Sequence, residues 1–235
     1  MSALHKVMRT GLLLAGAFAL IAAPVAAQNA GRIVLTPFIG GYVPSGNVGT
    51  FETTEEGTTI TSRAKHQSTF TIGGTGSYWL NDRWAIEAGV AYTPSDVKVS
   101  ASAPLGGGAF GLSDSEHARI WMGSLRAMVN VMPATSSFRL RLGAGPAVIN
   151  HGGKAYKTTT DQKMTGLTNY GGAFSLCTRI PLYRSLGIRL RAEDYVYQTN
   201  FKVNDRLDPT ASFNLGRKTQ NDVVLSAGLQ IGFTP

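Results

Sequence analysis

Gly73-Gly74-Thr75-Gly76-Ser77-Tyr78-Trp79-Leu80-Asn81-Asp82-Arg83-Trp84-Ala85-Ile86-Glu87-Ala88-Gly89-Val90-Ala91-Tyr92-Thr93 decides the fold. A glycine-rich extended segment enters the tight turn Asn81 to Arg83, and residue types then alternate strictly. Trp84, Ile86, Ala88, Val90 and Tyr92 share one face; Ala85, Glu87, Gly89, Ala91 and Thr93 share the other. A period of two is that of a β-strand whose faces meet different surroundings.

The same pattern recurs outward from this hairpin. Leu186, Ile188, Leu190, Ala192 and Val196 oppose Arg189, Arg191, Glu193, Tyr195 and Tyr197, and Val223, Leu225, Ala227, Leu229, Ile231 and Phe233 oppose Asp222, Val224, Ser226, Gly228, Gln230 and Gly232. The spacing predicts eight strands, over 32–43, 68–80, 84–93, 117–132, 138–149, 168–182, 186–197 and 219–233. The connections alternate in length. Those at 81–83, 133–137 and 183–185 are short, whereas those at 44–67, 94–116, 150–167 and 198–218 each span 18 residues or more. Tight turns at one end and long loops at the other are the plan of a transmembrane β-barrel. The predicted fold is therefore all-β, an eight-stranded antiparallel up-and-down transmembrane barrel. A soluble lipocalin-like barrel, with its apolar face turned inward, is the alternative.

The N-terminus carries Lys6 and Arg9 before an apolar run from Gly11 to Ala23, then Val25-Ala26-Ala27. That order reads as a secretory signal peptide over 1–27, too short in its apolar part to span a bilayer. The barrel is expected over 28–235, exported to a bacterial outer membrane. Without Lys6 and Arg9 the chain keeps 20 basic against 14 acidic residues, scattered along strands and loops. Nucleic-acid binding would need that charge gathered on one face. The lone Cys177 allows no internal disulfide.

Aromatic residues fall near the predicted strand ends: Tyr78, Trp84, Phe138 and Phe233 by the short turns, and Tyr42, Phe70, Tyr92, Trp121 and Tyr170 toward the loops. These read as interfacial girdles. Pro37 and Pro146 each remove a ladder donor, so bulges or local breaks are expected there. Asp194 takes the lipid-facing register.

The run Gly73 to Trp84 and the closing strand Val223 to Phe233 carry a resemblance to the small eight-stranded outer-membrane barrels of the OmpA transmembrane-domain and OmpX type. It extends over 28–235 by pattern. The resemblance implies a monomer in contact with outer-membrane lipid and lipopolysaccharide, and delivery to the barrel assembly machinery through the C-terminal strand. Thr234 and Pro235 depart from the family by following Phe233. A tether to the cell wall of the OmpA kind is not expected.

The inward register collects Glu87, Arg126, Arg139, Arg141, Arg179, Arg189, Arg191 and Glu193. Narrow barrels are filled by their side chains, so a salt-bridge ladder is expected, with Glu87 answering Arg126 and Glu193 its arginine neighbours. Surplus arginines would instead make a narrow anion-preferring pore by the logic of charged rings. A lipid A-modifying enzyme would need a serine activated by histidine. Asp114, Ser115, Glu116 and His117 adjoin, but neighbours on an extended segment point to opposite sides. No catalytic residue, cofactor or metal is therefore assigned, His66, His117 and His151 lacking ligand spacing. The long loops, with Glu52, Glu55 and Glu56 in the first and Lys154, Lys157 and Lys163 in the third, suit surface interaction, including with lipopolysaccharide phosphates.

Overall fold

A computed structural model of the chain describes residues 31–55, 58–105, 108–132, 139–157, 162–183, 185–205, 213–214 and 217–233. The expected leader and the girdle position Phe138 lie outside the described residues. In chain order the strands are β1 (Ile33–Ser45), β2 (Gly49–Glu55), β3 (Thr58–His66), β4 (Thr69–Trp79), β5 (Trp84–Leu105), β6 (Gly108–Asn130) and β7 (Arg139–Gly153). A single 3-10 turn, Lys154–Tyr156, precedes β8 (Gln162–Thr165), β9 (Thr168–Tyr183), β10 (Leu186–Thr199), β11 (Lys202–Asp205), β12 (Phe213–Asn214) and β13 (Lys218–Phe233).

Eight of these close a barrel in the order β1-β4-β5-β6-β7-β9-β10-β13, with β13 returning antiparallel to β1. Closure leaves no unpaired strand edge among the eight strands of the barrel wall, which backbone in hydrocarbon requires. Glycine brings strands close where the sequence is richest in it. A Cβ on Gly73 would stand 2.3 Å from the Val90 carbonyl oxygen and 2.5 Å from the Phe38 ring.

All four connections read as long loops contain strands. β5 and β6 continue as one register from Trp84 opposite Val129 to Leu105 opposite Gly108, far beyond Thr93 and His117 where the sequence pattern set their ends. β2 and β3 form a hairpin whose second strand pairs with the upper half of β5. β8, β11 and β12, from the third and fourth long connections, make a small separate sheet.

The prolines interrupt hydrogen bonding without shifting register. Between β1 and β13, pairing lapses at Thr36 and Pro37, then resumes at Phe38 opposite Gly228 in the original register. Between β6 and β7 it lapses beside Pro146 in the same way. A register shift does occur at the short turn, between Leu186 and Gly187.

The two faces sort as a membrane barrel demands. Ile33, Leu35 and Ile39 on β1, Ile86 and Val90 on β5, Leu125 on β6, Leu176 on β9 and Leu225 and Leu229 on β13 are exposed on the outer wall. The inner wall holds Thr36, Thr71, Thr75, Ser77, Glu87, Arg126 and Gln230, all buried. A soluble barrel would bury the apolar set and expose the polar one, so the lipocalin-like alternative has the faces inverted.

Candidate functional site

Tyr78 and Phe233 are exposed near the short turns, with Trp84 half-buried beside them. Phe70, Trp121 and Tyr170 are exposed toward the loops, Tyr170 by 76%, and Tyr92 packs on Trp121 at a ring separation of 4.8 Å. Tyr42 does not join this belt. It has the parity of Val34, Thr36 and Phe38, which face inward, and its side chain is wholly buried in the lumen. Nearness to a strand end suggested a girdle position, but the alternation of β1 decides otherwise.

At mid-height the lumen is crossed by an ion network whose charged groups come from three strands, β5, β6 and β10, with neutral partners on β4 and β9. Glu87 on β5 accepts hydrogen bonds from Ser77 Oγ at 2.6 Å, from Arg126 Nη2 at 3.0 Å and from Arg189. Glu193 on β10 accepts from Arg126 and from Arg191 Nη1 at 3.2 Å. Arg191 Nη2 also donates to Thr75 Oγ1 at 2.9 Å, and Arg189 Nη2 to Cys177 Sγ at 3.0 Å. Gly89 leaves the room this needs, since a Cβ there would meet Arg126 Nη2 at 3.0 Å. Buried charges persist only when paired and hydrogen-bonded, and three guanidinium groups here share two carboxylates.

The remaining lumen arginines lie nearer the short turns. Arg141 stacks over Trp79, 4.6 Å from the ring centroid, and Arg179 donates to the Leu186 carbonyl at 3.4 Å. Arg139 is half-buried, at the first residue of β7 and in register with Arg179. A cluster including Phe38, Tyr42, Ile120, Met122, Ile149 and Tyr195 fills the lumen beyond the ion network.

Sequence reasoning missed the assembly at the outer mouth. His66 and His151 stack with ring centroids 5.6 Å apart, His66 Nε2 lies 2.7 Å from the Tyr156 hydroxyl, and His151 Nε2 lies 3.3 Å from the Tyr197 hydroxyl. Tyr197 donates to Asp222 Oδ2 at 2.6 Å. Phe201 packs edge-on to His151 and, with Val48, Val97, Ala118 and Tyr156, forms an apolar cap. A signal for His151 was available, because it shares the parity of Arg141 and Ile149 on β7. His66 and Tyr156 come from connections where no alternation could place them.

His117, by contrast, is exposed and pairs through Nδ1 with Asp96 Oδ1 at 3.2 Å. Ser115 sits opposite Lys98, its backbone N–H donating to Asp114. Among the described residues, these side chains form no serine–histidine pair, and no group of three or more His, Cys, Asp or Glu could hold a metal.

A closed eight-stranded antiparallel barrel with an apolar outer wall, exposed aromatic residues near its strand ends and a polar, filled interior defines a small β-barrel protein of the bacterial outer membrane. Among solved structures the chain is similar to outer membrane protein OprG from Pseudomonas aeruginosa, with a TM-score of 0.60 and 19% identity over 90% of this chain and 100% of that one. It is also similar to outer membrane protein AlkL, solved in lipid bilayers, with a TM-score of 0.58 and 13% identity over 91% of this chain and 95% of that one. No protein-family model and no curated protein sequence matches the chain. The likeness is one of fold.

Proposed function

We propose that this barrel serves a structural and surface-interaction role through its extracellular strands and loops, with its lumen closed to solutes. The observation that carries this reading is the mid-lumen network. Glu87, Arg126, Arg189, Arg191 and Glu193 all point inward, yet none is more than 5% exposed. Charged groups lining a conduit wide enough for hydrated ions would touch water. The aromatic and histidine cap at the outer mouth adds a second closure. Beyond the belt, the β5–β6 hairpin and the β8–β11–β12 sheet supply folded scaffold of the kind on which binding loops are presented.

A narrow anion-preferring path is the second reading. Among the described residues, Arg141 and Arg179 make no ion pair, and this surplus positive charge would favour anions if the network rearranged. Swelling of liposomes holding the refolded protein separates the two. A closed barrel gives swelling in small-anion salts no faster than protein-free liposomes. Anion-dependent swelling that disappears in Arg141→Gln/Arg191→Gln would overturn it in favour of the pore.

A further inference from the structure

Lys65 on β3 and Lys98 on β5 are register partners across adjacent antiparallel strands, and both are exposed on the outer wall. Side chains so placed stand about 5 Å apart at Cβ, where like charges repel. Arg63, two residues along β3, shares their face, and Arg119 on β6 is exposed two residues beyond Trp121. Arg119 lies across Gly152, where a Cβ would come within 3.1 Å of its Nε. Asp96, a carboxylate on this face, is engaged by His117. Glu116 and Asp114 have the parity of inward-facing Ala118. Among the described residues no ion pair engages Arg63, Lys65, Lys98 or Arg119.

The chain makes a local irregularity to present this charge. β5 advances five residues from Tyr92, opposite Ile72, to Val97, opposite His66, while the facing chain advances six. The extra residue, at Gln67 and Ser68, reverses the parity between β4 and β3. An unbroken register would turn His66 to the outside and Lys65 into the lumen. Bulges re-aim side chains in this way.

We infer that this patch binds the phosphate groups of a phosphorylated glycolipid in the outer leaflet. The cations begin immediately beyond the Tyr92 and Trp121 belt, where lipid headgroups lie. At about 2.5 Å of height per residue in a strand tilted near 40°, they extend from roughly 5 Å at Arg119 to roughly 15 Å at Lys98 beyond that belt. A phospholipid offers its phosphate at a single depth. A saccharide headgroup phosphorylated at several sugars offers anions along the whole span and would relieve the Lys65–Lys98 repulsion. The site lies on the outer wall and is independent of whether the lumen conducts.

The test titrates purified, refolded protein in zwitterionic detergent with lipopolysaccharide, phosphatase-treated lipopolysaccharide and phosphatidylglycerol, reading bound lipid after gel filtration. Wild-type protein should bind phosphorylated lipopolysaccharide at least ten-fold more tightly than Lys65→Gln/Lys98→Gln/Arg119→Gln does, and ten-fold more tightly than either other lipid. Added salt should weaken it. Heat-dependent gel migration identical to wild type establishes that the variant barrel is folded. Equal binding by the variant, or by phosphatase-treated lipopolysaccharide, would overturn the site. Equal binding of phosphatidylglycerol, or displacement by inorganic phosphate, would overturn the glycolipid as its occupant.

Discussion

Glu87 and Arg126 face each other as register partners on β5 and β6, with Arg126 Nη2 donating to Glu87 Oε1 at 3.0 Å and both side chains sealed from water. Around this pair the lumen is cross-linked. Glu87 also receives Arg189, and Arg126 reaches across to Glu193, so β5, β6 and β10 are tied through the barrel interior.

Replacing Glu87 with Gln keeps the shape and removes the charge, leaving Arg126 and Arg189 buried without it. Breaking a buried pair from one side costs about 3–5 kcal/mol. The expected result is a lower urea midpoint for unfolding in lipid micelles, followed by tryptophan fluorescence. A loss below about 1 kcal/mol would mean that the network is hydrated and exchangeable.

Leu125 is exposed on the outer wall, one residue from Arg126 in the lumen. Leu125→Arg should cost about 2–4 kcal/mol when the barrel is folded into bilayers, the range for arginine facing lipid at mid-depth. A neutral outcome in the same unfolding measurement would contradict the assignment of this face to lipid.

His66 lies beyond the aromatic belt, buried beside His151 and Tyr156. Burial, and then the neighbouring His151, pull its pKa down to about 3. An unfolded histidine titrates near 6.5, so the unfolded state takes up protons first as pH falls. Stability from the neutral ring is complete above about pH 6.5 and is lost progressively from there toward pH 3. Near pH 5 the loss is about 2 kcal/mol. Urea midpoints at pH 7.5 and pH 5 should differ in the wild type and differ less in His66→Gln; identical pH dependence would exclude His66 as the source.

The β5–β6 hairpin beyond the belt is a register continued from the wall, and the barrel closes below it. Shortening the chain by replacing residues 101–112 with Asn-Gly should leave heat-dependent gel migration unchanged and the thermal midpoint within a few degrees. Failure to refold would show that the hairpin is required for closure.

Much of this fold was legible because alternation is imposed residue by residue. The faces of 84–93, 186–197 and 219–233 follow from lipid on one side and a crowded polar lumen on the other, and Glu87, Arg126, Arg189, Arg191 and Glu193 take inward places from parity alone. Strand ends toward the loops were not legible. The sequence pattern ends this strand at Thr93, yet β5 passes through Pro94, which falls at the break between β4 and β3 while its pairing with Arg119 on β6 continues. Tyr42 shows the converse limit, since residue type suggested an interface that parity refuses. The His66–His151 stack depends on a bulge and on a loop turn, which no periodic signal encodes.

Ion conductance of the refolded protein in a planar lipid bilayer, under a salt gradient, tests the closed lumen most directly. A lumen sealed by the Glu87, Arg126, Arg189, Arg191 and Glu193 network predicts insertion, verified by heat-dependent gel migration, without conductance steps. Reproducible anion-selective steps that vanish in Arg141→Gln/Arg191→Gln would contradict it and make the lumen arginines a pathway.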